Sequence, residues 1–382
     1  MSTSYHEEQR RKNILKLRDL MLEMPDFCFE YFQGIEQTTA ERTRLGYAHD
    51  LKIFFEYLLQ YKTEFKGLEM HQLTLAHLDQ VKVRDIERFM EYLTFYEKKT
   101  DEGIQIELQN GETGKARKVA AIRSMFKYFY RKQEISSNPA SLIDTPKIHE
   151  KNIIRLEVDE IARLLDEVDS GEQLTERQQA YHKYTHSRDL ALITLLLGTG
   201  MRVSECVGLN LSDIDYRVNG LKITRKGGNE AVIYYGAEVE EALLPYLEER
   251  RHIIPQTGHE DALFLSMQKR RITVRAVENI VKKYASIVTQ IKRISPHKLR
   301  SSYGTQLYNE TGDIYLVADV LGHKDVNTTR RHYAQMEDTR RRRAANAVLL
   351  RKDPETVSAP AEASETVIPE ADADHTSSSE QE

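Results

Sequence analysis

In this 382-residue chain, apolar side chains return every third or fourth position in segment after segment, the period of an amphipathic helix. That rhythm confines the fold to a mainly α class. From Thr38, TTAERTRLGYAHDLKIFFEYLLQY places Leu45, Ala48, Leu51, Phe55 and Leu58 on one stripe, and Thr38 with Glu41 has the spacing of a capping box. A second helix is expected at about 83–93, facing inward through Ile86, Phe89, Met90 and Leu93. A third is expected at about 115–132, with Val119, Ile122, Phe126 and Phe129 buried. Residues 1–24 add an amphipathic stretch through Ile14, Leu17, Met21 and Met24. These segments together predict an all-α module.

SSNPAS and IDTPKIHEKN then break the helical period with prolines, which places a linker near 136–152. Beyond it, helices are expected at 158–168, 188–197, 239–250, 274–288, 297–308, 314–321 and about 328–350. LKIT and AVIYY are β-prone; they flank RKGGNE and predict a hairpin with Lys226 at or near its turn. The expected organisation is an extension over 1–24, a helical module over 25–140, a linker over 141–154, a second domain over 155–352 and a tail over 353–382. The tail, rich in Ala, Ser, Pro and Glu, buries too little apolar surface to offset ordering entropy and is expected to stay disordered.

The tail also hides a charge asymmetry. It holds nine acidic residues and no Lys or Arg, and the rest of the chain has 55 basic residues against 51 acidic. A mildly basic body suits a polyanionic partner. Lys115, Arg117, Lys118, Arg123, Lys127, Arg131 and Lys132 lie on the third helix with no acidic residue among them. A charge run is ordinarily a solvated helix face; the absence of compensating acids favours phosphate contact, with Lys115, Arg117, Lys118, Arg123 and Lys127 as DNA-binding residues.

Other classes find no support. There is no apolar run of the roughly 18 residues a membrane span needs, no phosphate-binding G-x-x-x-x-G-K-[ST] loop and no Cys/His cluster of zinc spacing. The first residues resemble neither a signal nor a transit peptide, so a cytoplasmic location is expected. Cys28 and Cys206 are far apart and are expected to be small buried apolar residues.

One set of polar residues stands apart. His297, Arg300, His323 and Tyr333 fall between Pro296 and Tyr333, and Arg202 in GTGMRVSE and Lys226 in TRKGGNE extend the set. Attack of a protein hydroxyl on a phosphodiester needs these types: two guanidinium forks for the nonbridging oxygens, a proton donor for the leaving oxygen and a base for the nucleophile. His297 and Arg300, three residues apart, share a helical face. Taken singly, each has an ordinary structural explanation. Arg202 can pair with Glu205, Lys226 can be a solvated turn lysine, and His297 and His323 can cap helices. Tyr333 is one of 20 tyrosines.

Their joint order, R…K…HxxR…H…Y, resembles that of the tyrosine recombinases, also called the phage integrase family. SPHKLRSSYGTQLYNETGDIYLVADVLGHKDVNTTRRHYA is similar to the C-terminal half of a bacterial Xer-type recombinase, and GTGMRVSECVGLNLSDID and LKITRKGGNEAVIYYG resemble its earlier motifs. MPDFCFEYFQGIE, the insert GEQLTERQQAYHKYTHS and TRKGG look most like the single-recombinase Xer proteins of Firmicutes. The resemblance spans roughly residues 38–345. It departs in Ser301, where many members have a second histidine, and in the ten-residue step from His323 to Tyr333, where nine is frequent.

The resemblance implies a two-domain, C-shaped clamp on double-stranded DNA, mainly α with a small antiparallel sheet. It makes Tyr333 the nucleophile of a 3′-phosphotyrosyl intermediate, Arg202 and Arg300 the phosphate clamp, Lys226 the general acid, His297 the acid/base partner and His323 a second phosphate ligand, with no metal and no cofactor. It implies resolution of chromosome dimers at a dif-like site by a homotetramer joined through the last helix, about 337–350, and admits an FtsK-type translocase as a further partner. An integrase or excisionase of a mobile element would share every catalytic residue; a noncatalytic DNA-binding regulator would share the clamp alone.

Overall fold

The computed structural model describes residues 5–99, 103, 105–147, 154–225, 228–323 and 325–326. Lys226, Tyr333, the helix expected at about 328–350 and the acidic tail lie outside these residues. The described residues belong to one compact unit, Met1–Thr329.

Two hydrophobic cores account for the apolar periodicity. The first draws on α1 (Tyr5–Met21), α2 (Phe27–Gly34), α3 (Glu41–Tyr61), α4 (Leu75–Asp79), α5 (Val83–Tyr92) and α6 (Glu112–Arg131). The α3 stripe packs as its spacing requires, with Ala48, Leu51, Phe55 and Leu58 buried, and Val119, Ile122, Phe126 and Phe129 of α6 are buried with them. Cys28 is buried as expected. Rings carry much of this core: Phe27 meets both Phe55 and Phe129 edge to face at 5.7 Å between centroids, a favoured aromatic geometry.

Two expectations for this region need correction. Helix α3 begins at Glu41 with Ala40 as its N-cap; the Thr38 hydroxyl instead donates to the Ile35 carbonyl in the turn that follows α2. The region is also not all helix, because β1 (Tyr96–Lys99) and β2 (Gln105–Leu108) pair antiparallel, Tyr96 opposite Leu108. Tyr96 is buried in the core and anchors the hairpin.

The second core begins after the linker and draws on α7 (Val158–Ser170), α9 (His186–Thr199), α10 (Val203–Gly208), β3 (Ile214–Asp215), β4 (Gly220–Thr224), β5 (Glu230–Tyr234), α11 (Ala237–His252), α12 (Val274–Val288) and α13 (Pro296–Thr311); α8 (Glu176–His182) and α14 (Ile314–Leu321) belong to the same region. Helix α9 is its axis. Ala191 to Leu197 are buried without a break, as a helix apolar on all sides must be. The charge at its first turn is neutralised in place: buried Asp189 accepts from Arg188 Nη2 at 2.6 Å and from the Tyr284 hydroxyl of α12 at 3.1 Å. Strands β3, β4 and β5 form an antiparallel sheet in that order, and Leu221 opposite Ile233 turns the apolar face inward.

Helix α1 touches both cores. Its Leu17 and Leu20 are buried in the first, whereas Tyr5 packs on the second and lies 5.4 Å under the Arg271 guanidinium. Among the described residues no helix is long and apolar enough to cross a membrane.

The basic α6 meets an acid contributed by another helix. Asp50 of α3 is 1% exposed and lies 2.6 Å from Arg117 and 3.4 Å from Lys118, itself buried. Burial pushes the Asp50 carboxyl above and the Lys118 ammonium below its ordinary range, outweighing the opposite charge beside each. Such a pair contributes little net stability, yet breaking it strands a charge. Asp50→Leu should therefore cost about 3 kcal/mol, and adding Lys118→Met should restore most of that loss. Urea unfolding midpoints check this; a double variant as unstable as the single one would refute it.

Candidate phosphate-binding site

A helix ends with carbonyls that have no partner inside it, and at the end of α14 three arginines from three different elements meet that need. Gly322 adopts a left-handed conformation at φ +62°. It donates its N–H to Asp319, and His323 donates to Ala318 at 2.8 Å, the two bonds of a Schellman motif. Arg225, directly after β4, donates through Nη1 to Asp319 at 3.4 Å and through Nη2 to Val320 at 3.1 Å. Arg300 of α13 donates through Nη2 to Leu321. Arg202, the N-cap of α10, donates through Nη2 to Gly322 at 3.3 Å.

Arg202 and Arg300 thus converge on successive carbonyls, one residue before His323. Each has a second anchor. Arg300 Nη1 donates to Gly200 at 2.6 Å, and Arg202 Nη1 meets the buried Glu205 carboxylate at 2.9 Å. Glu205 also accepts from the Arg202 N–H at 2.8 Å. The pairing of Arg202 with Glu205, its ordinary structural explanation, therefore coexists with a place at the site. Arg300 is only 6% exposed, whereas the Arg202 side chain is 36% exposed and open to a ligand.

Glycine makes the convergence possible. Gly200, the turn residue after α9, has φ +61°, and a Cβ there would overlap Tyr303 of α13 and crowd Leu321 of α14. A Cβ on Gly322 would overlap the Arg225 guanidinium.

His297, in the first turn of α13, is exposed, and its carbonyl accepts from the Ser301 hydroxyl at 3.0 Å. Tyr303 lies half-buried against Gly200, and burial pushes its phenol above its ordinary value. Cys206, under α10, is buried. Among the described residues no group of three or more His, Cys, Asp or Glu could hold a metal ion.

Arg225 escaped the sequence reading. Its signal was faint: an arginine at a strand end is common, and nothing local tells that it caps a helix about 95 residues away. The basic α6 needs a sharper correction. Lys118 Nζ is buried and donates to Asn110 at 3.1 Å, so it does not face a phosphate. Arg123 is spent on the chain leaving the module, donating to Ala140 at 3.1 Å, to Thr145 at 2.7 Å and to Ile143. Lys115 reaches the Thr94 hydroxyl at 2.7 Å, Arg117 pairs with Asp50, and Lys127 is exposed. The charge run is thus partly internal glue, joining α6 to α3 and to the linker.

Residues 155–340 match the phage integrase family. The chain is 31% identical over 327 residues to tyrosine recombinase XerC of Caldanaerobacter subterraneus subsp. tengcongensis, covering 83% of this chain and 84% of that one. It is 28% identical over 298 residues to tyrosine recombinase XerD of Staphylococcus epidermidis, covering 78% and 89%. Among solved structures, XerH recombinase bound to difH substrate in a pre-cleavage complex has a TM-score of 0.57 at 20% identity, covering 86% of this chain and 93% of that one. The Tn1549 transposon integrase in complex with transposon right end DNA has a TM-score of 0.57 at 19% identity, covering 84% and 99%. The two structures share the fold.

The seat that Gly322 leaves for Arg225 is open to direct measurement. Gly322→Ala should cost about 1–3 kcal/mol from its left-handed backbone, plus the displacement of Arg225. Gly258 has φ +86° with nothing near its Cβ position, so Gly258→Ala isolates the backbone cost. Chemical denaturation should rank Gly322→Ala as the more damaging; equal losses would show that Arg225 is not seated there.

Proposed function

The chain belongs to the phage integrase family as an Xer-type tyrosine recombinase, a site-specific DNA recombinase, and we propose that it acts through Tyr333 on a phosphodiester gripped by Arg202 and Arg300. The observation that carries this reading is the convergence of both guanidiniums on Leu321 and Gly322, one residue from His323.

In this scheme the Tyr333 phenolic oxygen attacks phosphorus while His297 takes its proton. Negative charge grows on the nonbridging oxygens, and Arg202, Arg300 and His323 stabilise it with charge-assisted hydrogen bonds. The bond to the 5′ oxygen breaks as Lys226 protonates it, leaving a 3′-phosphotyrosyl ester and a free 5′ hydroxyl. The 5′ hydroxyl of a second strand reverses these steps, so the energy of the phosphodiester is retained. No metal or nucleotide enters the scheme.

The substrate class that fits is duplex DNA carrying a dif-like site, with chromosome-dimer resolution in the cytoplasm as the role. The same reading divides the chain into a DNA-binding module over 25–140 and a catalytic domain over 155–352. Two separate hydrophobic cores, one ending at Ile143 and the other starting at Leu156, support that division. Closing as a clamp on DNA belongs to the same proposal, as does a homotetramer across two sites, joined through residues of about 337–350. Lys115 and Lys127 are the α6 residues best disposed to phosphate contact, because their ammonium groups are not buried.

A nicked suicide duplex that traps the covalent intermediate tests the scheme. Wild type should form an adduct that Tyr333→Phe abolishes and Tyr303→Phe retains. Arg202→Ala should slow trapping by about 10²–10³-fold, the usual loss of one transition-state donor. Trapping should proceed in EDTA. An adduct that persists in Tyr333→Phe would overturn the nucleophile assignment, and loss of trapping in EDTA would overturn the metal-free scheme.

A further inference from the structure

The connection between β4 and β5 contains a side chain for which the proposed reaction has no use. Arg225 closes the connection with its backbone: its N–H donates to Asn229 at 2.7 Å and its carbonyl accepts from Gly228 at 3.1 Å. Its guanidinium leaves the hairpin and donates to Asp319 and Val320 on α14. Gly322 leaves open the space that this group fills. Lys226 is the next residue in the chain.

The β4–β5 ladder ends with Thr224 opposite Glu230, and past it the described backbone bonds of the hairpin are those of Arg225 with Asn229 and Gly228. Those bonds close the turn on itself, whereas the guanidinium of Arg225 ties its base to α14. The same α14 corner anchors Arg202 and Arg300. A proton donor must lie within hydrogen-bond reach of the oxygen it serves, and an error of about 1 Å can cost about 100-fold in rate.

We propose that Arg225 is a positioning residue that locks the base of the β4–β5 turn in register with the α14 corner, so that the proton donor of that turn meets the leaving oxygen of the phosphate held by Arg202 and Arg300. This rests on the reading of Lys226 as general acid. Arg225 itself neither touches the phosphate nor transfers a proton. Its substitution should therefore impair protonation of the leaving group and spare phosphate binding.

A substrate with sulfur in place of the bridging 5′ oxygen separates the two effects. A thiolate, whose conjugate acid has a pKa of about 8.5, departs without a proton donor. The full-length protein is assayed for single-turnover cleavage of ordinary and 5′-thio suicide duplexes, with single-site DNA binding and melting temperature measured alongside. Arg225→Met should cleave ordinary DNA about 100-fold more slowly, bind it as the parent does and cleave the thio substrate at the parental rate. Arg225→Lys, which keeps one donor for the α14 carbonyls, should lose less on ordinary DNA and nothing on the thio substrate; it decides the matter if the Met variant does not fold.

Parental cleavage of ordinary DNA by Arg225→Met would overturn the proposal, as would an equal deficit on both substrates. Lys226→Ala in parallel separates two failures. If sulfur rescues Lys226→Ala but not the Arg225 variants, the positioning role falls and the general acid stands. If sulfur does not rescue Lys226→Ala, the acid assignment falls and the inference falls with it.

Discussion

The exposed carbonyl end of one short helix organises the candidate site. Helix α14 is only eight residues long and ends in successive carbonyls with no partner inside the helix. Three guanidiniums supply the donors, from the end of β4, from α10 and from α13. Cations are favoured at this pole of the helix dipole, so capping and charge act together. Two of the three are the arginines proposed to hold the phosphate. Protein atoms therefore orient them before any ligand arrives, which is the preorganisation that transition-state stabilisation requires. Glu205 and Gly200 complete the bracing. An arginine held by both a buried carboxylate and a carbonyl loses little freedom on binding an anion.

The first core shows the opposite use of positive charge. A helix with seven basic residues and no acid between them looks built for a polyanion. Yet Asp50, from a neighbouring helix, reaches across to take Arg117 and Lys118. Arg123 ties down the chain that enters the linker, so part of the basic character serves to join α6 to its surroundings. The remaining outward lysines leave a smaller set of possible phosphate contacts than the charge run implies.

Much of this was legible in the sequence, because helical periodicity is a local property. The α12 and α14 helices fall at the expected 274–288 and 314–321. The β4–β5 hairpin was equally plain from LKIT and AVIYY. The β1–β2 hairpin was not, because YEKK and QIEL are rich in charge and rest on a single buried ring, Tyr96. At the site, the motif order singled out Arg202, Arg300 and His323, and the fold brings them to one corner. Tertiary partners were hidden for a simple reason: whether a lysine faces water or Asp50, or an arginine caps a distant helix, depends on elements far away in the chain. Lys118, Arg123 and Arg225 all belong to that class.

If Arg202 and Arg300 meet the charge of the scissile phosphate, a neutral phosphate should make them dispensable. Replacing one nonbridging oxygen by methyl gives a methylphosphonate with no negative charge to stabilise. Cleavage rates of the parent, Arg202→Ala and Arg300→Ala on ordinary and methylphosphonate duplexes form a double-substitution cycle. If the guanidiniums clamp the phosphate, each arginine variant should lose far less on the neutral substrate than on ordinary DNA. Equal losses on both substrates would mean that the two arginines merely hold α14 in place and do not clamp the phosphate.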